Sequence, residues 1–293
     1  MTDILVVFKK NFEQIHDHSL KAITEVLTKV SEDYEIKFDL RAREKVRRAD
    51  FIGRDLVIVL GGDGTLTSIS HNIDANTPVI GVNSHPIEDD PNGSFGFYMD
   101  SNVKTFSKDI ITALSGKALV NEIPRLQAII DTTSGNRFTT DPAMNDLLVA
   151  NTHQYAPSKY HLRRDGKRCH QQSSGMVFST WLGQGAWLNH IVDNNTMTNF
   201  RKRVTQDQID SYYFVVSREI DHKQRIEQPW SWLDWTDKST IITSDMHRGY
   251  VVPDGWDEIH FNRGASITVN LEAPKLCLLT FRKTIKEKLA DII

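Results

Sequence analysis

The segment Gly61-Gly62-Asp63-Gly64-Thr65 places one acid among residue types that handle phosphate. Glycines let a backbone approach phosphate oxygens, and the amides of a following helix N-terminus can face an anion. A carboxylate there repels a nucleotide unless it holds magnesium or accepts a proton from an attacking hydroxyl. The spacing is neither that of a Walker loop nor that of a G-x-G-x-x-G fingerprint. We therefore expect phosphoryl transfer on a different nucleotide fold, with a plain strand-to-helix turn as the alternative.

Two further residues in the first half of the chain could bind a nucleoside. Asn83 ends the apolar run that begins at Pro78, and Phe97 closes Gly93–Phe97. An amide can hydrogen-bond a ribose or an adenine edge, and a ring held by glycine can stack on a base. Each residue alone is equally typical of a turn or of a core.

The second half of the chain offers a further set of candidates with similar chemistry. They are Asn145, Asp146, Ser174, Gly183, Ala186 and Trp187. An amide or a carboxylate at a strand start can point at a nucleoside hydroxyl, and a small residue beside an aromatic ring can enclose a flat adenine. Taken singly, these signals are also typical of ordinary strand starts and turns.

The pattern of apolar residues predicts the elements that would position these side chains. Helical spacing alternates with short apolar runs at first, and the unbroken run Asp55–Leu60 suits a central strand of a parallel sheet. Later the runs become short and β-like, separated by turn residues. We expect an α/β, Rossmann-like domain over residues 1–120, a β-rich domain over 121–274, and a tail, 275–293, that packs back on the first domain.

Composition limits the class of protein. A chain of 293 residues can form two domains, and a net charge of −3 argues against a protein that mainly binds nucleic acid. The first apolar run, Ile4–Phe8, has no basic leader and is too short to span a bilayer, so we expect no membrane role. Cys169 and Cys277 show no paired spacing, which indicates neither disulfides nor zinc and fits a reducing cytoplasm.

Three other features receive structural interpretations. The basic run Arg41–Arg48 could attract a polyanionic donor, but a solvated helix face is the favoured interpretation. His16 and His18 are expected to face solvent. The tryptophan-rich segment 228–235 indicates aromatic packing or a contact surface rather than a ligand cage.

The order and spacing of the candidate segments resemble the NAD kinase family over most of the chain. The matching features are GGDGT at 61–65, a Gly-Val-Asn strand end with a downstream Gly-Phe, the Asn145-Asp146 pair, and Ser-Ser-Gly at 173–175 followed by the glycine turn 183–187. Within that family, the motif residues are most similar to those of the mitochondrial-type branch. The resemblance implies phosphorylation of the 2′-hydroxyl on the adenosine ribose of NAD, with ATP or polyphosphate as donor, Mg²⁺ at the phosphates, and a homodimer or homotetramer.

The resemblance also implies roles for single residues. Asp63 would be the catalytic base, with Gly61, Gly62, Gly64 and Thr65 at the phosphates of ATP. The residues implied to bind NAD are Asn83, Phe97, Asn145, Asp146, Ser174, Gly183, Ala186 and Trp187. The chain departs from the family pattern at three points: Asp146 is shorter than the usual Glu, Ser174 replaces an acid, and the turn 183–187 lacks the usual Ser-Thr hydroxyls.

Two other functions stay open at this stage. Lipid and sphingoid kinases also carry GGDGT, but they generally lack the Asn-acid pair and the Gly-Ala-aromatic segment. A nucleotide-binding protein without catalysis would fit the departures at Gln184 and Gly185. The carboxylate of Asp63 argues against a pure binder, because such a protein gains nothing from an acid beside phosphates.

Overall fold

The computed structural model describes residues 1–10 and 14–292, which form two compact units. The first unit comprises Met1–Ile123 together with Lys275–Ile293, and the second comprises Pro124–Pro274. The C-terminal segment therefore returns to the first unit. Each unit is described separately below.

The first unit is built on a mainly parallel sheet. Its strands are β1 (Thr2–Phe8), β2 (Ile36–Ala42), β3 (Leu56–Gly61), β4 (Val79–Asn83), β5 (Ser101–Asn102), β6 (Leu119–Ile123) and β19 (Leu276–Thr280). They are arranged in the order β2-β1-β3-β4-β19-β6, with β5 paired to β4. Neighbours from β2 to β19 are parallel, whereas β6 runs antiparallel to β19. Every residue of β3 is buried, as expected for a central strand covered on both faces.

Five helices accompany this sheet: α1 (Gln14–Asp33), α2 (Arg48–Phe51), α3 (Asp63–Ser70), α4 (Phe106–Leu114) and α10 (Ile285–Ile292). The apolar stripe of α1, with Ile23, Leu27 and Val30, packs in one core cluster with strand residues such as Ile58. Each fully buried aliphatic side chain contributes roughly 1.5–3 kcal/mol. Gly116, at φ 68°, ends the turn after α4, which is the left-handed conformation that favours glycine.

The second unit consists of two antiparallel sheets. One contains β7 (Gln127–Asp131), β8 (Arg137–Thr139), β10 (Ser158–Arg164), β11 (Lys167–Ser173), β15 (Thr240–Ser244) and β18 (Ser266–Asn270). The other contains β9 (Asp146–Asn151), β12 (Met176–Thr180), β13 (Tyr213–Ser217), β14 (Leu233–Thr236), β16 (Arg248–Pro253) and β17 (Ile259–Asn262). Buried side chains from both sheets form one core cluster, including Leu162 and Ile242 from the first and Val149 and Phe178 from the second. Two layers around one core are the usual solution for sheets with one apolar face.

Short helical segments connect the strands of the second unit. They are the 3-10 helix η1 (Leu182–Gly185) and the α-helices α5 (Leu188–Ile191), α6 (Asn194–Arg201), α7 (Gln206–Ile209), α8 (His222–Glu227) and α9 (Pro229–Trp232). The fold class predicted from the sequence is confirmed: an α/β first domain, a mainly β second domain, and a tail that joins the first. No helix within the described residues is long and apolar enough to cross a membrane.

Some sequence interpretations were wrong in detail. The basic run is not a helix face, because Arg41 lies in β2, which ends at Ala42, residues 43–45 form a turn, and α2 begins only at Arg48. His16 is buried, with 5% of its surface exposed, and its Nδ1 lies 2.8 Å from Ser84 Oγ. His18 is exposed as expected. Aromatic packing is confirmed for Trp235, whose ring centroid lies 4.5 Å from that of Phe214.

Candidate functional site

The glycine loop lies between β3 and α3. Gly62 is the N-cap of α3, and Asp63 is its first residue. A Cβ atom on Gly61 would lie 2.2 Å from Thr65 Oγ1, and one on Gly62 would lie 2.7 Å from Ser94 Oγ. A Cβ on Gly64, by contrast, would meet nothing within 4 Å. The first two glycines are therefore required by close packing, whereas Gly64 borders open space.

The carboxylate of Asp63 is held by the backbone of the Gly-Phe segment. Its Oδ2 accepts from Phe97 N at 2.9 Å, and its Oδ1 accepts from Tyr98 N at 2.8 Å. Burial raises the pKa of the Asp63 carboxyl above its ordinary value, and these two hydrogen bonds oppose that effect. A fixed carboxylate with a raised pKa is well suited to accept a proton.

Asn83 and Gly96 organise the loop that carries this backbone. Asn83 Nδ2 donates to Ser94 O at 3.0 Å, and its Oδ1 accepts from His85 N at 3.1 Å. A Cβ on Gly96, at φ 66°, would lie 2.4 Å from Asn83 Nδ2. The structure thus shows Asn83 as a support of the 83–97 segment, and its predicted contact with NAD stays a prediction.

Asp63 borders a cavity of about 390 Å³ within the first unit. Gly62, Gly64 and Thr65 line the same cavity. Its wall also contains four basic or titratable side chains: Lys9, His16, Arg43 and His85. Among the described lining residues, Asp63 is the only acid. Such a combination of backbone amides and cations suits a polyphosphate.

Lys9 was missed as a site residue, and Arg43 was considered only as part of the basic run 41–48, although strand register explains the position of both. Phe8 pairs with Leu60 on one side and with Ala42 on the other, so Lys9, Gly61 and Arg43 follow aligned strands at one sheet edge. Ligands of open α/β sheets bind outside the carboxyl ends of the strands. In the sequence, the position of Lys9 and Arg43 was indicated by the fact that each is the first basic residue after a predicted parallel strand.

Phe97 borders a second cavity of the first unit, of about 420 Å³. Asn83 and Gly96 also line it, together with the charged side chains of Lys104 and Arg282. The Phe97 ring packs edge-on against Tyr98, with centroids 5.1 Å apart. The ring therefore occupies a wall position from which stacking on a base is possible.

The Asn145-Asp146 pair opens β9 in the second unit, and Asp254 holds it in place. Asp254 accepts hydrogen bonds from the backbone N–H groups of Met144, Asn145 and Asp146 at 2.7, 2.9 and 3.0 Å. Asp254 itself adopts a left-handed backbone with φ 45°. Sequence analysis gave Asp254 no role. Its position makes it a support of the pair.

Asp146 is a deeply buried carboxyl with an unusual pKa. Burial raises its pKa to about 7, and the charge of Asp254 adds to that rise. Its Oδ2 accepts from Trp187 N at 3.3 Å, and its Oδ1 has no partner among the described residues. Buried polar atoms are usually hydrogen-bonded, so the free oxygen is a position where a ligand hydroxyl would be favourable.

The glycine turn packs directly on this pair. A Cβ on Gly183 would lie 2.4 Å from Asn145 O, so only glycine permits the approach. Ala186, Trp187, Asn145 and Asp146 line one cavity of about 620 Å³. The second unit therefore brings four predicted NAD-binding residues to one cavity, with Gly183 behind them.

Ser174 lies apart from that cavity wall. Its hydroxyl donates to a carboxylate oxygen of Glu219, and its backbone N–H donates to Arg218 O at 2.9 Å. The Arg218 guanidinium lies 5.1 Å from the centre of the Trp187 ring, which is a cation–π contact. Ser174 is thus linked to the cavity through Arg218 and Trp187 rather than by lining it.

Comparison with known proteins places this geometry in context. Residues 3–110 match the family model described as the ATP-NAD kinase N-terminal domain. The chain is 30% identical over 148 residues to the "Probable NADH kinase" of Oryza sativa subsp. japonica. That alignment covers 45% of this chain and 44% of the rice protein. It is 21% identical to the NAD kinase of Thermoplasma volcanium over 82% of this chain and 79% of that protein.

The same fold occurs in solved structures. The NAD kinase from Archaeoglobus fulgidus in complex with ATP superposes with a TM-score of 0.71 and 16% identity, covering 99% of this chain and 98% of that one. Yeast NADH kinase complexed with NADH gives a TM-score of 0.73 and 16% identity, with 99% and 86% covered. Residues 3–110 of the chain match the N-terminal domain of the ATP-NAD kinase family, and the fold of the whole chain is that of solved NAD and NADH kinases. The family resemblance drawn from the sequence is thereby confirmed.

The sequence similarity to NAD kinases has a defined extent in this chain. The family model includes Gly61–Thr65, Asn83 and Phe97 and ends before Asn145. The rice relative is aligned over less than half of its own length, so the chain spans about half the length of the curated relatives that it matches first. The roles of single residues are therefore treated below as proposals.

Proposed function

We propose that this protein is an NAD kinase that transfers the γ-phosphoryl group of ATP to the 2′-hydroxyl on the adenosine ribose of NAD, giving NADP and ADP. The observation that carries the proposal is Asp63: a half-buried, backbone-held carboxylate with a raised pKa at the start of α3, in a cavity whose other lining residues are glycines, polar side chains and the cations Lys9 and Arg43. No other carboxylate lines that cavity among the described residues.

In the proposed reaction Asp63 acts as general base. The 2′-hydroxyl oxygen attacks the γ-phosphorus while its proton passes to the Asp63 carboxylate. The new O–P bond forms as the bond from the γ-phosphorus to the β,γ-bridging oxygen breaks, and that oxygen leaves with ADP. Positioning and charge neutralisation supply most of the acceleration in such transfers.

The chain offers separate groups for the phosphates. The backbone at Gly62, Gly64 and Thr65 faces the cavity together with the side chains of Lys9 and Arg43. Two side-chain cations and a helix N-terminus stabilise charge on a transferring phosphoryl group. Gly64 leaves open space beside the loop, which a phosphate requires.

Mg²⁺ is the proposed cofactor, and it would enter with ATP. Magnesium dehydrates reluctantly and is commonly bound through substrate phosphates and several waters. The loop leaves room for that arrangement, because a Cβ on Gly64 would meet nothing within 4 Å. Asp63 is assigned to the proton transfer, so the phosphates of the donor and water would hold the ion. When bound, the ion would neutralise phosphate charge.

We propose that the cavity of the second unit binds the dinucleotide. The cavity wall offers an amide, a carboxyl, a small residue and a flat ring, which belong to Asn145, Asp146, Ala186 and Trp187. Gly183 packs against Asn145, and Ser174 is linked to Trp187 through Arg218, so these two residues would act indirectly. Asn83 and Phe97, in the first unit, stay proposed NAD-binding residues. The names of the relatives include both NAD kinase and NADH kinase, so NADH is the second candidate acceptor.

A substrate screen tests the function. The protein is incubated with γ-³²P-labelled ATP and Mg²⁺ against NAD, NADH and diacylglycerol, and the products are separated. We expect label in NADP or NADPH. Label in lipid alone would favour a lipid kinase, and binding of NAD in calorimetry without any labelled dinucleotide would favour a non-catalytic homologue. Replacing ATP by polyphosphate tests the alternative donor.

Three coarser properties complete the proposal. We propose a homodimer or homotetramer, a cytoplasmic location, and no direct role at membranes or on nucleic acid. The net charge of −3 and two free cysteines support this assignment. Light scattering after size exclusion gives the oligomeric state, with a monomeric mass contradicting the proposal.

A further inference from the structure

Lys288, on the C-terminal helix α10, reaches the segment that holds Asp63. Its Nζ donates to Phe97 O at 3.2 Å and pairs with Asp100 Oδ1 at 2.7 Å. Only 18% of the side chain is exposed, so solvent screens its charge weakly. Sequence analysis assigned this lysine nothing, and α10 was expected only to pack on the first domain.

The contact with Phe97 O is specific to one peptide group. That carbonyl belongs to the same peptide plane as the N–H of Tyr98, which donates to Asp63 Oδ1 at 2.8 Å. A cation on the carbonyl side of a peptide polarises the group and strengthens its N–H as a donor. Lys288, the Phe97–Tyr98 peptide and Asp63 therefore form a continuous hydrogen-bonded chain.

We propose that Lys288 is a positioning residue that sets the basicity and orientation of Asp63 through the Phe97–Tyr98 peptide. The proposal rests on the proposed function, in which Asp63 is the base. The positive charge of Lys288 also lowers the pKa of the Asp63 carboxyl, against the larger effect of burial. The C-terminal helix would thus favour the ionised form of the base.

Other charged and titratable side chains also lie around Asp63. Lys9, His16, Arg43 and His85 line its cavity from β1, α1, the turn after β2 and the loop after β4. Beyond the Phe97–Tyr98 peptide lie Asp100 and Arg282, which pair with each other at 3.2 Å. All of these side chains are retained in the variants compared, although Asp100 loses its ion pair with Lys288 in Lys288→Met.

The fold should tolerate removal of Lys288. Asp100 would still accept from the backbone N–H groups of Phe281 at 2.6 Å and Arg282 at 3.1 Å, as well as from the Arg282 guanidinium. Lys288→Met keeps most of the aliphatic stem, and Lys288→Arg keeps the charge. Lys108→Met, at an exposed position of α4, is the matched control for loss of one positive charge.

The test is the pH profile of kcat/KM for NADP formation. We expect the acidic limb of Lys288→Met to move to higher pH by about 0.5–1 unit, because loss of a nearby cation raises a carboxyl pKa. Lys288→Arg should recover most of that shift, and Lys108→Met should match the wild type. An unchanged limb in Lys288→Met, or an equal shift in Lys288→Arg, would overturn the proposal.

A second readout does not need activity. The Asp63 carboxyl carbon, observed by ¹³C NMR with aspartate labelling and assigned with Asp63→Asn, should titrate at higher pH in Lys288→Met than in the wild type. Equal titration in both proteins overturns the role of Lys288. A wild type that makes no NADP, but shows this NMR difference, would instead contradict the proposed function and leave the link between Lys288 and Asp63 standing.

Discussion

Asp254 holds the backbone of Asp146 while its charge raises the pKa of the Asp146 carboxyl. The Asp254 Oδ1 atom accepts the Asp146 N–H at 3.0 Å, and in return the Asp254 N–H donates to Asp146 O at 2.8 Å. The pKa is about 7 for Asp146 and about 6 for Asp254, chiefly because both carboxyls are buried. The pair is a local source of instability in the second unit when both groups are ionised.

This pair predicts a pH dependence of stability. Both folded pKa values exceed the ordinary value of 3.8, so the unfolded chain loses these protons first. Stability is then fully present below about pH 4 and is lost as pH rises through 6 to 7. We expect the wild type to lose on the order of 4 kcal/mol between pH 5 and pH 8 from this source, measured by urea unfolding.

The variant Asp146→Asn isolates the contribution of this carboxyl. The variant should show a smaller loss of unfolding free energy between pH 5 and pH 8 than the wild type. Asp207→Asn, at an exposed position of the same unit, is the control and should behave like the wild type. Parallel pH curves for Asp146→Asn and the wild type would contradict the prediction.

Substitution of the proposed base should separate catalysis from binding. Asp63→Asn removes the proton acceptor, and we expect kcat for NADP formation to fall by roughly 10²–10⁴-fold. The new amide nitrogen would also face a backbone N–H, at an expected cost of about 1–3 kcal/mol in stability. Rates are therefore measured well below the melting temperature of the variant.

A control variant and a binding measurement test this interpretation of Asp63→Asn. Asp74→Asn, an exposed acid of the first unit, should retain wild-type kcat. Calorimetry should show that Asp63→Asn still binds NAD. Turnover near the wild-type value in folded Asp63→Asn would show that Asp63 is not the base.

The variant Gly64→Ala should lose affinity for ATP without losing stability. Its Cβ would meet nothing within 4 Å, and alanine favours a helix over glycine by up to about 1 kcal/mol. Gly64→Ala should therefore melt at the same or a slightly higher temperature. The added methyl group borders the proposed phosphate cavity, so we expect the KM for ATP to rise several-fold, as steady-state kinetics would measure.

The comparison with Gly62→Ala sharpens this prediction. A Cβ on Gly62 would meet Ser94 Oγ at 2.7 Å, so that variant should also lose stability. An unchanged KM for ATP in Gly64→Ala would argue that the donor phosphates do not approach this part of the loop.

The turn at Gly183 gives a matched pair in the second unit. A Cβ at Gly183 would lie 2.4 Å from the backbone oxygen of Asn145, whereas one at Gly185 would meet nothing within 4 Å. We expect Gly183→Ala to lose about 1–3 kcal/mol of stability, because backbone must move, and to bind NAD more weakly. Gly185→Ala should be close to wild type in thermal unfolding and in calorimetry. Equal behaviour of the two variants would contradict this account.

Much of the first unit followed from local pattern. The continuous apolar run of β3 and the spacing of Ile23, Leu27 and Val30 predicted a central strand and a helix, and both are observed. The strands β10 and β11 were missed because they carry mainly polar side chains: β11 is an edge strand, and on β10 only Tyr160 and Leu162 supply apolar side chains to the core. Edge strands need little apolar sequence to pair.

By itself the sequence determined the motif loop, the fold class and the resemblance to NAD kinases, because glycine positions, apolar periods and motif order are local properties of the chain. Only the tertiary structure decided which partners surround Asp63. Its carboxylate lies against the backbone of Phe97 and Tyr98, with Lys288 beyond them, more than 200 positions along the chain from Asp63. Such contacts depend on how strands are ordered in the sheet, and no local pattern encodes that order.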